Sequence, residues 1–268
     1  MASGARARGR LAARAYLGSG FRADSDFPFG VKTMVDSGWT TARAAYSVLK
    51  RSPNHRTIPK SIRSYTPPEA PVCLWLTGLP AAGKTTLSEA LAKVFTESGL
   101  SVELLDGDRI RAALSPQLGY SRADRHSNVV RVAHLAVEAL SHRDVVIVAL
   151  VSPYGDARAE ARGIVDAFGT FVEVHVDASP ETCIARDPKG LYAKALAGEI
   201  ADFTGVDGSY ERPRAPEVHV DTNRLSVDEA IDLILTEIRV LVTSGEQETS
   251  HRAADAPAPS PLARAGLR

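Results

Sequence analysis

VCLWLTGLPAAGKTTL, running from Val72 to Leu87, joins an apolar β-type run to a glycine-bearing loop and then to the start of an amphipathic helix. Gly78-Leu79-Pro80-Ala81-Ala82-Gly83-Lys84-Thr85 fits the pattern G-x-x-x-x-G-K-[ST] in the strand-loop-helix context that gives it meaning. The two glycines let the backbone fold so that N–H groups face phosphate oxygens, and the helix start adds positive dipole at the same spot. The residues expected against a nucleoside triphosphate are Gly78, Ala81, Ala82, Gly83, Lys84, Thr85 and Thr86. Lys84 is expected to reach the β- and γ-phosphates, and the Thr85 hydroxyl to ligate Mg²⁺.

Outward from this loop the chain alternates strand and helix. Leu87, Leu91, Val94 and Phe95 recur at helical spacing up to a stop at Gly99, and Val102 to Leu105 reads as the next strand. A helix follows over Ser121 to His142, then a β-branched strand over Val145 to Val151 and another over Phe171 to Val176. Ser179-Pro180 fits an N-cap with proline at the first helical position. After a short strand at Val218 to Val220, Ser226 and Glu229 form a capping box ahead of an apolar stripe of Ile231, Ile234, Leu235 and Ile238. The expectation is an α/β fold of the P-loop kinase type: a five-stranded parallel sheet with helices on both faces, plus a lid segment.

Composition bounds the rest. The chain has 268 residues with 32 Lys and Arg against 32 Asp and Glu, so no global field draws it to nucleic acid or a membrane. No apolar run approaches the roughly 20 residues needed to span a bilayer. Cys73 and Cys183 lack metal-type spacing and read as buried thiols of a cytoplasmic protein. Residues 1–70 form a basic, then proline-interrupted extension whose Arg-rich leader leaves organelle targeting open. A helix is allowed over Val31 to Lys50. The main domain is expected over 71–243, and 244–268 as a disordered Ala- and Pro-rich tail.

The phosphate loop is shared by kinases, switches and motors, so the acceptor side must discriminate. Asp106-Gly107-Asp108-Arg109-Ile110-Arg111 stands at the carboxyl end of the second strand, where open α/β sheets bind ligands. Asp106 is the candidate both for holding Mg²⁺ through water and for accepting the acceptor's hydroxyl proton, with a helix cap as its alternative role. Arg125 and Asn128 share one helix face. Ser152-Pro153-Tyr154 follows the buried strand, and the glycine-punctuated stretches Arg186 to Tyr192 and Gly198 to Gly205 suit a lid.

With these motifs in order from about Pro71 to Ile238, the chain resembles the adenylyl-sulfate kinases, which phosphorylate the 3′-hydroxyl of adenylyl sulfate with ATP. The resemblance implies a substrate pocket lined by Asp108, Arg109, Ile110, Arg111, Arg125, Asn128, Val151 and Ser152. It implies that Tyr120 and Phe203 sandwich the substrate adenine, that Lys189 covers the substrate, and that Arg186 stacks on the adenine of ATP. Ser152 is marked in that family as a phosphorylated intermediate, so Lys84, Asp106 and Ser152 are the catalytic candidates. In-line transfer needs only positioning and charge neutralisation, which favours Ser152 as a hydrogen-bonding ligand. A homodimer is compatible with the resemblance.

Pro80, Ser127, Val130 and Tyr120 depart from the family pattern. The competing readings are a P-loop kinase of another small hydroxyl acceptor, which would not need Tyr120 and Phe203, and a nonenzymatic nucleotide-binding regulator, which would not need Asp106.

Overall fold

The computed structural model describes residues 71–114 and 118–254. The leader and the helix allowed over 31–50 lie outside the described residues, as does the tail beyond 254. Five strands, β1 (Val72–Thr77), β2 (Val102–Asp106), β3 (Val145–Ala149), β4 (Thr170–Asp177) and β5 (Val218–Asp221), form one sheet in the order β2-β3-β1-β4-β5. Every pairing is parallel. Around it lie α1 (Lys84–Glu97), α2 (Gly107–Leu114), α3 (Arg122–Leu140), α4 (Gly155–Asp166), α5 (Pro180–Arg186), α6 (Leu191–Leu196) and α7 (Val227–Ala254).

The period-two alternation of β1 explains the layers. Val72, Leu74 and Leu76 point into a core shared with Leu87, Leu91 and Phe95 of α1 and with Ile231, Ile234 and Ile238 of α7. Cys73 and Trp75 point the other way, among Val129, Val132 and Ala136 of α3 and Ala157, Ala161 and Val165 of α4. A central strand buried on both faces reads as an unbroken apolar run, which is why β1 and β3 show no polar alternation. Both cysteines are buried and free. Among the described residues no helix is long and apolar enough to cross a membrane.

Three details differ from the sequence reading. β3 ends at Ala149 rather than Val151, because the backbone leaves the sheet toward Ser152, which holds a left-handed φ of 38°. Within the stretch read as lid, Leu191–Leu196 is helical, started by Gly190 at a φ of 66° and by the Asp187 carboxylate, which accepts the Ala193 N–H at 3.0 Å. Finally, α7 runs to Ala254, past the expected domain end at residue 243. Its last turns are rich in Glu, Gln and Ala, which favour helix enough to carry it through Gly245.

Candidate active site

The phosphate-binding loop, residues 78–83, occupies the turn between β1 and α1, and its glycines are required by space and dihedral. A Cβ on Gly78, at a φ of 153°, would lie 2.2 Å from the Val176 carbonyl oxygen of β4, and Gly83 opens α1 at a φ of 107°. The loop is further tied down by the Ala82 N–H donating to the Leu79 carbonyl at 3.2 Å. The Tyr192 hydroxyl of α6 donates to the Pro80 carbonyl at 3.1 Å, so this proline contributes an acceptor to the loop's anchoring and no donor.

Lys84 is buried at the start of α1, and its ammonium donates to the carbonyls of Gly78 at 2.9 Å and Leu79 at 2.7 Å. Burial pushes its pKa down to about 8, against the opposing pull of Asp108. A cation folded back onto its own loop in a desolvated position is poised for an anion that offers more than two backbone carbonyls do.

At the neighbouring strand end, the two carboxylate oxygens of Asp106 face different groups. Oδ1 accepts the N–H groups of Asp108 and Arg109, each at 3.1 Å, and so caps α2. Oδ2 faces the Thr85 hydroxyl at 3.4 Å. A carboxylate oxygen beside a hydroxyl is a hard-oxygen pair that fits Mg²⁺, which takes few protein ligands and keeps several waters.

These groups open into a cavity of about 800 Å³. Ala81, Gly83, Lys84, Thr85, Thr86 and Asp106 line it from the phosphate loop and β2. Asp108, Arg111, Tyr120, Arg125, Asn128, Val151 and Ser152 line it from α2, α3 and the end of β3, and Arg186, Lys189 and Phe203 from the lid. A region spread over more than a hundred residues of sequence thus converges on one space.

The acceptor half carries a preorganised basic wall. Arg111 stacks its guanidinium 4.1 Å over the Tyr120 ring and donates to the carbonyls of Leu118, at 3.1 Å, and Gly119. Arg125 donates to the Tyr120 carbonyl at 2.7 Å and reaches across to the lid, to the Thr204 hydroxyl at 3.1 Å and the Asp202 carbonyl at 2.6 Å. Phe203 packs edge-on against Tyr192 with ring centroids 5.0 Å apart. Asn128 is 3% exposed, and its Oδ1 is buried without a hydrogen-bond partner among the described residues. Left unpaired, such an atom costs about 1–3 kcal/mol, which a ligand donor can return. Across the cavity mouth, Lys189 of the lid forms an ion pair with Asp108.

Four expected residues do not line this space. Arg109 is exposed, and Ile110 belongs to the core beneath α3. The reason is helical geometry: Asp108 and Arg111, three apart, share one face of α2, and the two residues between them cannot. Gly78 turns toward Val176, and Ala82 packs in the core while its carbonyl accepts the Thr222 hydroxyl at 2.9 Å.

Ser152 also differs from a nucleophile. It is 1% exposed, and its hydroxyl accepts the Trp75 indole N–H at 3.1 Å and donates to the Thr77 hydroxyl at 3.0 Å. Its carbonyl accepts from Arg158 at 2.8 Å. These partners make the side chain a brace for the strained turn lining the cavity, not an exposed attacking group.

Residues that sequence reasoning missed complete the site. Arg186 donates to the Thr222 carbonyl at 2.6 Å and hydroxyl at 3.1 Å, and Thr222, Leu225 and Val227 line the cavity beside it. The Ser226–Glu229 capping box marks the helix start at Val227 but says nothing of ligand binding, so only their place after β5 could have marked these residues as cavity lining. Arg158, Trp75 and Tyr210 were missed as well, since each makes contacts distant in sequence, with Glu211, Ser152 and Thr77 respectively.

Comparison with known proteins matches this geometry. The profile of the adenylylsulphate kinase family covers residues 70–221. An adenylyl-sulfate kinase from Synechococcus sp. (strain JA-3-3Ab) is 48% identical over 168 residues, 63% of this chain and 94% of that protein. Another, from Myxococcus xanthus (strain DK1622), is 48% identical over 167 residues, 62% of this chain and 90% of that protein. The solved structure of the Mycobacterium tuberculosis APS kinase CysC in complex with AMPPNP and APS superimposes with a TM-score of 0.61 at 39% identity, covering 63% of this chain and 98% of that one. With its phosphate loop, basic acceptor wall and lid in one cavity and the family profile spanning more than half of its length, the chain belongs to the adenylylsulphate kinase family.

Proposed function

We propose that this protein transfers the γ-phosphoryl group of ATP to the 3′-hydroxyl of adenylyl sulfate, releasing ADP and 3′-phosphoadenylyl sulfate. The observation that carries this reading is the single cavity with two cationic ends, Lys84 in the phosphate loop and Arg111 with Arg125 in the acceptor wall. Two anionic nucleotides can meet there with the acceptor hydroxyl beside the triphosphate. Thr85 directly and Asp106 through water would hold Mg²⁺, which when bound neutralises charge on the β- and γ-phosphates.

In the step itself, the 3′-oxygen forms its bond to the γ-phosphorus as the bond to the β,γ-bridging oxygen breaks. The hydroxyl proton passes to Asp106 Oδ2, the oxygen that does not cap α2. Lys84 and the loop N–H groups stabilise equatorial phosphoryl charge. Tyr120 and Phe203 hold the acceptor's adenine, Asn128 and the two guanidiniums its polar edge and anionic groups, and Arg186 with Thr222 the base of ATP. Lys189 releases Asp108 as the lid closes over substrate. The reading also places the protein in the cytoplasm as a homodimer, which fractionation and sedimentation velocity test.

Full-length protein supplied with MgATP and adenylyl sulfate should form the 3′-phosphorylated product, followed by chromatography and coupled ADP release. Asn128→Ala should raise KM for adenylyl sulfate by about tenfold, the loss of one buried hydrogen bond, while leaving KM for ATP near the wild-type value. Absence of product, or an equal shift in both KM values, would remove this assignment of the acceptor site.

The depressed Lys84 pKa makes a second prediction. In the free protein this ammonium loses its proton as pH rises through about 8, whereas contact with triphosphate restores the charged form. Nucleotide binding at about pH 8.5 should therefore take up a fraction of a proton, and affinity should fall as pH increases above 8. Calorimetry in two buffers of different ionisation enthalpy reads that uptake, and a value of zero would exclude Lys84 as the coupled group.

A further inference from the structure

One cluster of metal-ligand side chains lies apart from the large cavity. His175 on β4 stands in register beside His219 on β5, and Asp177, two residues along β4, shares a face with His175. Their ligating atoms all lie within 4.8 Å of one another. His219 Nε2 is 3.1 Å from Asp177 Oδ2, and His175 Nε2 is 4.0 Å from Asp177 Oδ1, so two imidazoles converge on the two oxygens of one carboxylate. None of the three lines the active-site cavity. A separate cavity of about 20 Å³, room for roughly one water, is bounded by His175, Asp177, Tyr210 and Arg212.

The surroundings define what could enter. Arg212 approaches Asp177 at 3.2 and 3.3 Å, so the carboxylate already attracts a cation, yet this side chain is 64% exposed and rises from a segment without regular structure. The Tyr210 ring stacks on His175 at 6.1 Å, and its hydroxyl is engaged with Thr77, which makes it a wall and not a ligand. Burial pushes the His175 pKa down to about 4, so at neutral pH the ring is the uncharged imidazole that binds metals.

We propose that His175, Asp177 and His219 form a binding site for a divalent transition ion of the Zn²⁺ type, entered by displacement of the Arg212 guanidinium. Two nitrogens and one carboxylate oxygen suit Zn²⁺ or Co²⁺ and not Mg²⁺ or Ca²⁺, which require oxygen donors. Water completes the coordination. The bound ion clamps the short edge strand β5 to the carboxyl-terminal end of β4, just ahead of the turn at Thr222.

The test uses the full chain free of any affinity tag, stripped with chelator and titrated with Zn²⁺ at about pH 7.5. Wild type should bind one ion with Kd at or below about 10 µM, and Co²⁺ should give the visible absorption of a nitrogen-bound ion. His219→Ala, at an exposed ligand, should weaken Zn²⁺ binding at least about tenfold. His219→Gln is the alternative should the alanine variant not fold. Arg212→Ala should tighten binding severalfold, because it removes the competing cation, whereas a cluster held only by hydrogen bonds would gain no affinity for metal. Wild-type affinity retained in either His219 variant, or no tightening in Arg212→Ala, overturns the proposal.

Discussion

Lys84→Ala should lower kcat at least about a thousandfold, about 4 kcal/mol of transition-state stabilisation, while the protein remains folded. The ammonium is the loop's only side-chain cation, and in a loose transition state it stabilises charge spread over the equatorial oxygens and developing on the leaving oxygen. In the free protein its two hydrogen bonds go to the Gly78 and Leu79 carbonyls, and because Lys84 itself lines the cavity, water can enter where its ammonium was. Folding should therefore be little affected even as turnover collapses. Steady-state assay with circular dichroism of the same sample separates the two effects. Turnover within tenfold of wild type would show that the backbone amides alone carry the phosphoryl charge.

Arg158→Ala should be the most destabilising single change outside the core, costing about 3 kcal/mol and lowering Tm by roughly 10 °C. Arg158 is 6% exposed and binds the Glu173 carboxylate of β4 at 2.7 Å. Its other nitrogens donate to the carbonyls of Ser152 at 2.8 Å and Glu211 at 2.7 Å. Removing it leaves a nearly buried carboxylate and two carbonyls without their donor. The expected cost stays at the low end of the range for broken buried pairs because Arg162 remains 3.8 Å from Glu173. Replacing both partners, Arg158→Met with Glu173→Gln, should cost less than Arg158→Ala alone, since no lone charge stays behind. Thermal unfolding of the three proteins decides this, and a single variant no less stable than wild type would refute it. Because Ser152 lines the cavity, KM for adenylyl sulfate should rise in Arg158→Ala as well.

The parts legible in advance were those in which local chemistry leaves no alternative. Gly78 and Gly83 are demanded by the loop's dihedrals and by the Val176 carbonyl, and Lys84 and Thr85 follow at fixed offsets. Ser179, Pro180, Ser226 and Glu229 start helices where expected, with the Ser226 N–H reaching the Glu229 carboxylate at 2.9 Å and the Thr182 N–H reaching the Ser179 hydroxyl at 3.2 Å. Asp106 was open between helix cap and active-site carboxylate; its Oδ1 caps α2, which leaves Oδ2 facing the Thr85 hydroxyl.

Arg109 and Ile110 were expected beside Asp108 and Arg111 because the resemblance carried all four together, whereas a helix turns about 100° per residue and gives the cavity the face of Asp108 and Arg111. Ser152 was a catalytic candidate through the resemblance, with a hydrogen-bonding role favoured. The direction of its hydroxyl is set by Trp75 and Thr77, which lie 77 and 75 residues away.

From the order of residues alone came the strand-loop-helix at Val72 to Leu87, the five parallel strands and the list of charged side chains competent for phosphoryl transfer. These depend on periodicity, dihedral freedom and side-chain type, all of which act within a few residues. Which of those side chains share the cavity, that Arg158 ties Glu173 to Glu211, and that His175, Asp177 and His219 meet at one sheet edge were decided by the fold. Strand order and packing bring together groups remote along the chain, and a contact between them leaves no periodic trace in the sequence.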